Sequence, residues 1–240
     1  MNSDKNRVFE LALKILTDNN INYWVCHGTL LGITRDNSLL EWDNDIDFAV
    51  WEDEYSKLEI LKIFSKDKRF KIEIVPNEID SLHFSIFGNR VDINFYTRNS
   101  EKAFIKWTIP PRNYFFKILY FIIEFISTDK SIKKFLNFKN QKFKSLFKIF
   151  LIVPLSIFKV ILTKSLKKKI FHYGTKKLNR TGYSFPLDLM KFKFIKFLNY
   201  NIVVPVDSKK VLKHTYGDSW NIPKKQYVWY QEANNLFIQN

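Results

Sequence analysis

Apolar residues in the first hundred positions follow two periods. Val8, Leu11, Ile15 and Leu16 recur at helical spacing after a polar start, and predict an amphipathic helix. Residues 21–26 (INYWVC) read as a strand, and residues 27–32 (HGTLLG) as a glycine-bounded turn opening a short helix. From Glu41 to Trp51 acids stand at alternate positions, and the chain then turns wholly apolar, as a strand does on entering a core. Tyr55, Leu58, Leu61 and Phe64 predict a second helix, and residues 71–75 (KIEIV) alternate as a strand. Residues 82–87 and 90–96 are two alternating runs around Gly88-Asn89, a two-residue hairpin signal. This order predicts an α+β core over residues 1–100, a mixed β-sheet with flanking helices.

The pattern changes in residues 101–200. From Lys102 to Tyr200 there are 22 Lys and Arg against 3 Asp and Glu, a local charge of +19 in a chain of +15. Apolar tracts at 114–126 and 143–162 predict a basic, aromatic-rich helical insertion. The longest stretch without a charge, 149–158, is ten residues and contains Pro154, whereas a membrane-spanning helix needs about 20. Such helices suit an anionic membrane surface; a helical cap whose lysines are simply solvated is the competing reading. Nucleic acid is not expected, since basic charge alone would support it. Residues 201–240 return to mixed composition, with Asp207 a helix N-cap, Val211, Leu212 and Tyr216 a helix face and Gly217 its stop. This segment is expected to pack back on the core.

Composition narrows the setting. A single cysteine, Cys26, excludes an internal disulfide framework and fits a reducing compartment. Four histidines without ligand spacing argue against zinc. The polar first residues lack the apolar core of a signal peptide, so a cytoplasmic protein is expected.

The chemistry concentrates in residues 41–51. On a strand Asp45 and Asp47 project to one face, roughly 6.6 Å apart along the chain. Adjacent carboxylates repel unless a cation lies between them, and their hard oxygens suit Mg²⁺ or Mn²⁺. Upstream, the turn at Gly28 presents backbone N–H groups able to hold phosphate. Asp92 is the lone acid on its strand. It is either a third carboxylate of the site, binding metal or drawing a proton from an attacking hydroxyl, or part of a polar outer face.

The segments 27–32 (HGTLLG), Arg35, 42–47 (WDNDID) and 216–223 (YGDSWNIP) together resemble the LicD/fukutin family, over roughly residues 8–98 and 203–223. That resemblance implies a nucleotidyltransferase fold related to the polymerase-β superfamily. It also implies transfer of phosphocholine or a polyol phosphate from a CDP-activated donor to a cell-surface glycan or its lipid-linked precursor. Carried over by position, Asp45, Asp47 and Asp92 are the metal-binding and catalytic carboxylates. Gly28 and Thr29 contact donor phosphate, and His27, Arg35, Trp42 and Trp220 join the substrate-binding set. Two positions depart from the family pattern: Asn44 replaces an Asp and Glu41 a common Pro, with Asn44 expected to face away from the acid pair. The aromatics Trp220, Tyr227, Trp229 and Tyr230 could cage a quaternary ammonium such as choline or simply pin the tail to the core. The expected setting is the inner face of the cell membrane. The rival readings are a nucleotidyltransferase using an NTP donor, and an inactive membrane-associated scaffold that keeps the fold.

Overall fold

The computed structural model describes residues 2–73, 80–109, 113–127, 153–175 and 180–239. They fall into two compact units: Met1–Ile72, Asp80–Trp107 and Arg180–Asn240 form the first, Glu73–Ile79 and Thr108–Asn179 the second.

The first unit is built on a mixed sheet. Its helix α1 (Asn2–Asp18) buries Val8, Phe9, Ala12, Leu13 and Leu16, residues three and four apart that form one stripe. Leu11 and Ile15 lie at the margin of that stripe, only partly buried. Strand β1 (Trp24–Val25) keeps just the end of the predicted 21–26 strand, and helix α2 (His27–Asp36) follows at once. Strand β2 (Asp45–Trp51) is buried from Ile46 onward, the continuous apolar character of a central parallel strand. The chain then crosses over through α3 (Lys57–Phe64), β3 (Lys71–Ile72) and β4 (Ser81–Ile86) to β5 (Asn89–Arg98), which pairs with β2 in parallel. Strands β6 (Lys102–Thr108), β7 (Arg180–Pro186) and β10 (Leu236–Gln239) continue the sheet in the order β1-β2-β5-β6-β7-β10, while β4 also pairs with β5 and β3 with β4. A separate ribbon, β8 (Phe192–Phe197) with β9 (Tyr200–Pro205), packs beside β1.

Aromatic contacts fix the layers. Phe9 of α1 stacks on Phe48 of β2 at 5.3 Å between ring centroids, and Phe64 of α3 stacks on Phe84 of β4 at 4.7 Å. Each fully buried side chain of this size contributes about 1.5–3 kcal/mol. Helix α7 (Ser208–Tyr216) starts at Asp207, whose carboxylate accepts the Lys210 N–H at 2.9 Å, and stops at Gly217 with φ of 81°. Its neighbour α8 (Trp229–Glu232) is a single turn.

Three sequence expectations shift. The hairpin turn lies one residue earlier than Gly88-Asn89. Ile86 faces Asn89, and the central residues Phe87 and Gly88 have φ of 48° and 76°, the all-positive pattern of a type I′ turn. Of the predicted face of α3, Leu58 points to solvent, while Phe64 is buried, Tyr55 and Leu61 pack partly buried on the core, and Ile60 joins them. The basic stretch 101–200 is not wholly helical, because β6 to β9 belong to the first unit.

The second unit comprises α4 (Tyr114–Ser127), packed against both α5 (Val153–Ile161) and α6 (Lys164–Thr175). Phe115, Phe116, Ile157, Phe158, Val160 and Ile161 are exposed on it. Among the described residues no helix is long and apolar enough to cross a membrane. The first half of the 143–162 tract, and residues 74–75 of the predicted strand, lie outside the described residues.

Gly182 of β7 lies directly against the backbone of β6. A Cβ there would lie 1.7 Å from the Ile105 carbonyl oxygen, so the side chain must be absent for β6 and β7 to pair. Gly182→Ala is expected to destabilise the protein by about 2 kcal/mol or more, read as a lower urea midpoint at unchanged slope.

Candidate active site

The register between β2 and β5 assembles the site. Asp45 stands opposite Arg90 and Asp47 opposite Asp92, and on the far side of β5 His83 of β4 stands opposite Asp92. Because strand side chains alternate, Asp45, Asp47, Arg90, Asp92 and Asn94 share one face. The Arg90 guanidinium joins the two strands. Its Nη2 donates to Asp45 Oδ2 at 2.5 Å and to Asp92 Oδ2 at 3.0 Å, and its Nε donates to Asp92 Oδ1 at 2.8 Å. His83 Nε2 lies 3.7 Å from Asp92 Oδ2. The face of β5 that could have been a polar exterior is covered: Asp92, Asn94 and Tyr96 are all buried.

Asp47, like Asp92, is buried. Its N–H donates to Thr29 Oγ1 at 2.8 Å, and its Oδ1 accepts from Asn94 Nδ2 at 3.4 Å. Asn94 Oδ1 in turn accepts the Ser81 hydroxyl at 2.6 Å, and Ser81 Oγ accepts the Trp107 indole N–H at 3.0 Å. A chain of buried hydrogen bonds thus runs from β6 through β4 and β5 to the Asp47 carboxylate. Burial pushes the Asp47 carboxyl well above the usual carboxylate range. The negative charges of Asp92, Asp43 and Asp45 push it further, against the pull of Arg90. Among the described residues Asp47 has no salt-bridge partner.

The loop before β2 brings in a fourth acid and a second cation. Asp43 Oδ1 accepts the Asp45 N–H at 3.2 Å. Lys5 of α1 is buried, and its ammonium donates to the carbonyls of Leu40 at 2.8 Å and Asp43 at 2.5 Å. Burial lowers the Lys5 pKa, while Asp43, Asp45 and Asp47 hold it up.

Helix α2 meets these acids end-on. A Cβ on Gly28 would fall 2.4 Å from Asp43 Oδ2 and 3.8 Å from Asp47 Oδ2, so only glycine admits the carboxylates against the first turn. The N-cap residue Cys26 makes no side-chain capping bond. His27 has φ of 49°, a left-handed conformation that costs energy for any residue but glycine. Its ring is enclosed by Tyr96, Trp107 and Tyr183 with centroids 5.3–6.1 Å away, and Nε2 shares a hydrogen bond with the Tyr96 hydroxyl at 3.3 Å. Burial lowers its pKa to about 3, so the imidazole is neutral. A small cavity of about 20 Å³ is lined by His27, Trp24, Cys26, Tyr96 and Tyr216 among others.

The remaining sequence candidates divide. Gly28 borders Asp43 and Asp47, whereas His27 lies among Tyr96, Trp107 and Tyr183. Thr29 is buried and spends its hydroxyl oxygen on the Asp47 N–H, which makes it a support of β2. Arg35 chelates Asp36 at 2.7 and 2.8 Å and lies over the Trp42 ring at 5.6 Å, with Lys225 also over that ring at 5.7 Å. Trp42 is exposed. Trp220 packs half-buried on the core. Trp229 stacks edge-on to Trp107 at 5.0 Å, and Tyr227 lies 5.0 Å from Tyr216, so these tail aromatics pack against the first unit. Sequence reasoning passed over Asp43, Lys5, His83, Arg90 and Asn94. Asp43 and Arg90 each carried a signal, lying two residues before a singled-out acid; Lys5 carried none.

The donor set fits a divalent metal: four hard carboxylates, with glycine leaving room beside two of them. As they stand, no three His, Cys, Asp or Glu side chains among the described residues converge tightly enough to hold an ion. Arg90 draws Asp45 and Asp92 onto itself. Asp45, Asp47 and Asp92 are the residues that would hold the metal.

The raised Asp47 pKa carries a stability consequence with a definite sign. Its stabilising share is full below the ordinary carboxylate pKa. That share is lost as pH rises from there through the raised folded value, because the unfolded chain ionises first. Asp47→Asn is neutral throughout. In chelator-treated protein it is expected to be more stable than wild type at neutral pH by about 1 kcal/mol or more. The difference should vanish as pH falls to about 4, as urea titrations across pH would read.

The sequence model of the family described as LicD/FKTN/FKRP, nucleotidyltransferase domain, matches residues 20–157. Among curated proteins the chain is 33% identical over 107 residues to an uncharacterized protein of Rickettsia typhi, a stretch covering 43% of this chain and 32% of that protein. It is 41% identical over 54 residues to an uncharacterized protein of Rickettsia prowazekii, covering 22% and 20%. The chain thus spans less than a third of the length of these relatives. Two solved structures of the antibiotic-resistance factor ANT(2″)-Ia are also similar. One is a solution structure, at 12% identity and TM-score 0.36, covering 71% of this chain and 92% of that one. The other is a crystal complex with adenylyl-2″-tobramycin, at 12% identity and TM-score 0.32, covering 66% and 95%. The family match extends over more than half of the chain and contains β2, β5 and the first turn of α2, and on that ground the chain belongs to the LicD/FKTN/FKRP family.

Proposed function

We propose that the chain is a metal-dependent phosphotransferase. It would move a phosphocholine or polyol-phosphate group from a CDP-linked donor to a hydroxyl of a cell-surface glycan or its lipid-linked precursor. The observation that carries this reading is the register that sets Asp47 across from Asp92 and two residues after Asp45, with Asp47 beside the first turn of α2, within the family's nucleotidyltransferase domain. Mg²⁺ or Mn²⁺, when bound by these carboxylates, would neutralise charge on the donor phosphates. The backbone N–H groups at Gly28 would receive donor phosphate. The acceptor oxygen would bond to the phosphorus that bears the choline or polyol, the bond to the CMP oxygen would break, and CMP would leave. Asp92 would orient the cation or take the proton of the acceptor hydroxyl. Asn94 and Thr29 would keep Asp47 in place while this happens. The same carboxylates would equally serve attack on an NTP, and the family's description as a nucleotidyltransferase domain favours keeping that second reading.

Asp45→Ala and Asp47→Ala are expected to abolish transfer with the fold retained, as chelation should do to wild type; full activity in either variant would remove the site. Asp92→Asn should lower turnover by ~10²-fold or more with a smaller effect on donor affinity. Thermal-shift titration with CDP-choline, CDP-ribitol, CDP-glycerol and NTPs, each with Mg²⁺, separates the two donor classes. Stabilisation by a CDP-alcohol supports phosphotransfer, and stabilisation by NTPs alone replaces it.

The second unit supports an acceptor at the inner face of the membrane. Exposed Phe115, Phe116, Ile157, Phe158, Val160 and Ile161 share the unit with Lys159, Lys167, Lys168 and Lys169. Lysines near an anionic surface are worth about 1 kcal/mol each. The protein is expected to co-sediment with anionic but not neutral liposomes and to be partly released by salt. Replacing Lys164, Lys167, Lys168 and Lys169 with Gln should weaken that binding. Protein left in the supernatant at low salt would make these helices a solvated cap.

A further inference from the structure

Arg90 holds the carboxylates that a metal would need. One Nη2 reaches Asp45 at 2.5 Å and Asp92 at 3.0 Å, and Nε secures Asp92 at 2.8 Å. An Asp45 oxygen engaged that closely has little capacity left for a divalent cation. Among the described residues the basic side chains that face Asp43, Asp45, Asp47 and Asp92 are Arg90 and Lys5, with His83 beside Asp92, and Lys5 is committed to the carbonyls of the 40–43 loop.

We infer that Arg90 is a positioning residue that changes partners: it braces Asp45 and Asp92 in the metal-free protein, releases Asp45 when a divalent cation takes that carboxylate, and turns its freed donors to the phosphate oxygens of the donor substrate. The inference rests on the metal-dependent reading above. Its geometry is favourable for three reasons. Arg90 lies on the site face of a central strand, so its Cα is fixed while its side chain can move. The guanidinium grips Asp92 through two bonds and Asp45 through one, so the Asp45 contact is the one that can be given up while the arginine stays anchored. The planar fork matches phosphate as well as it matches carboxylate. The consequence is linkage: metal frees Arg90 for the donor, and donor phosphate holding Arg90 frees Asp45 for the metal. Each therefore raises the other's affinity by the same factor.

The test is Mn²⁺ binding, read by the electron spin resonance of the free ion, with and without CDP as a diphosphate probe. It compares wild type, Arg90→Gln and Arg90→Lys, with circular dichroism to check folding. Arg90→Gln is expected to bind Mn²⁺ alone roughly fivefold tighter than wild type, the scale of losing one partly exposed ion pair. It should also show a smaller gain on adding CDP. Arg90→Lys, which keeps the charge but loses the fork, should fall between, and it carries the test if Arg90→Gln does not fold. Mn²⁺ affinity in the variants equal to or weaker than in wild type overturns the exchange while leaving the metal site standing. Absence of Mn²⁺ binding in wild type and variants alike overturns the metal site and the exchange together.

Discussion

The in-register parallel pairing of β2 with β5 is the constraint on which everything else depends. It places Asp47 directly across from Asp92, an arrangement that like charges oppose. What holds it is the other face of the same two strands. Ile46 lies opposite Val91, Phe48 opposite Ile93 and Val50 opposite Phe95, all fully buried. A slip of one residue would carry those side chains into the site and the acids into the core. The apolar face thus fixes the register, and the register fixes the distances among the acids. Phe9 of α1, stacked on Phe48, ties the first helix to the same constraint, which is how Lys5 comes to reach the loop before β2.

Support for Asp47 comes from every side of the sheet. Thr29 receives its N–H from α2, and Asn94 reaches its carboxylate from β5. Ser81 and Trp107 extend that contact through β4 to β6. Each of these groups is satisfied by the next, which matters because a buried polar group left unpaired costs about 1–3 kcal/mol. The network also tethers the site to the aromatic cluster. Trp107 touches His27, Tyr183 and Trp229, so the strained His27 and the hydrogen-bond chain to Asp47 share that indole.

Much of this was legible in the sequence, and the limits have physical causes. The acids of β2 announced themselves because a period of two needs only one strand to be read. Asp92 was recoverable from a hairpin closed by local turn chemistry, although the turn proved to use Phe87 and Gly88, since a left-handed Phe is not a turn signal. Helix α7 and its Gly217 stop followed from local capping rules. Arg90 as the partner of Asp45 was not legible, because that contact spans 45 positions and depends on the β2–β5 register. Lys5 was hidden for the same reason, its partners lying 35 and 38 residues away. The basic stretch 101–200 read as one helical region because composition averages over it. The strands inside it pair with the sheet of the first unit, and pairing partners are not a compositional property.

The electrostatics of the site constrain whatever it binds. The chain as a whole is strongly basic, +15, yet the face formed by β2 and β5 is acidic, with Asp47 pushed toward its protonated form by burial and then by its acidic neighbours. A phosphate-bearing donor would meet repulsion from those carboxylates at short range, where screening by salt is weak. Only cations already among the acids can reverse the local sign. Arg90 and Lys5 supply part of that reversal, the uncapped first turn of α2 adds the partial positive charge of a helix N-terminus, and a divalent ion would supply the rest. On the proposed reading, the acidity that marks the site would make a cation favour the donor and the donor favour a cation. A donor unable to bring or follow a cation would be excluded by the same carboxylates that are proposed to activate it.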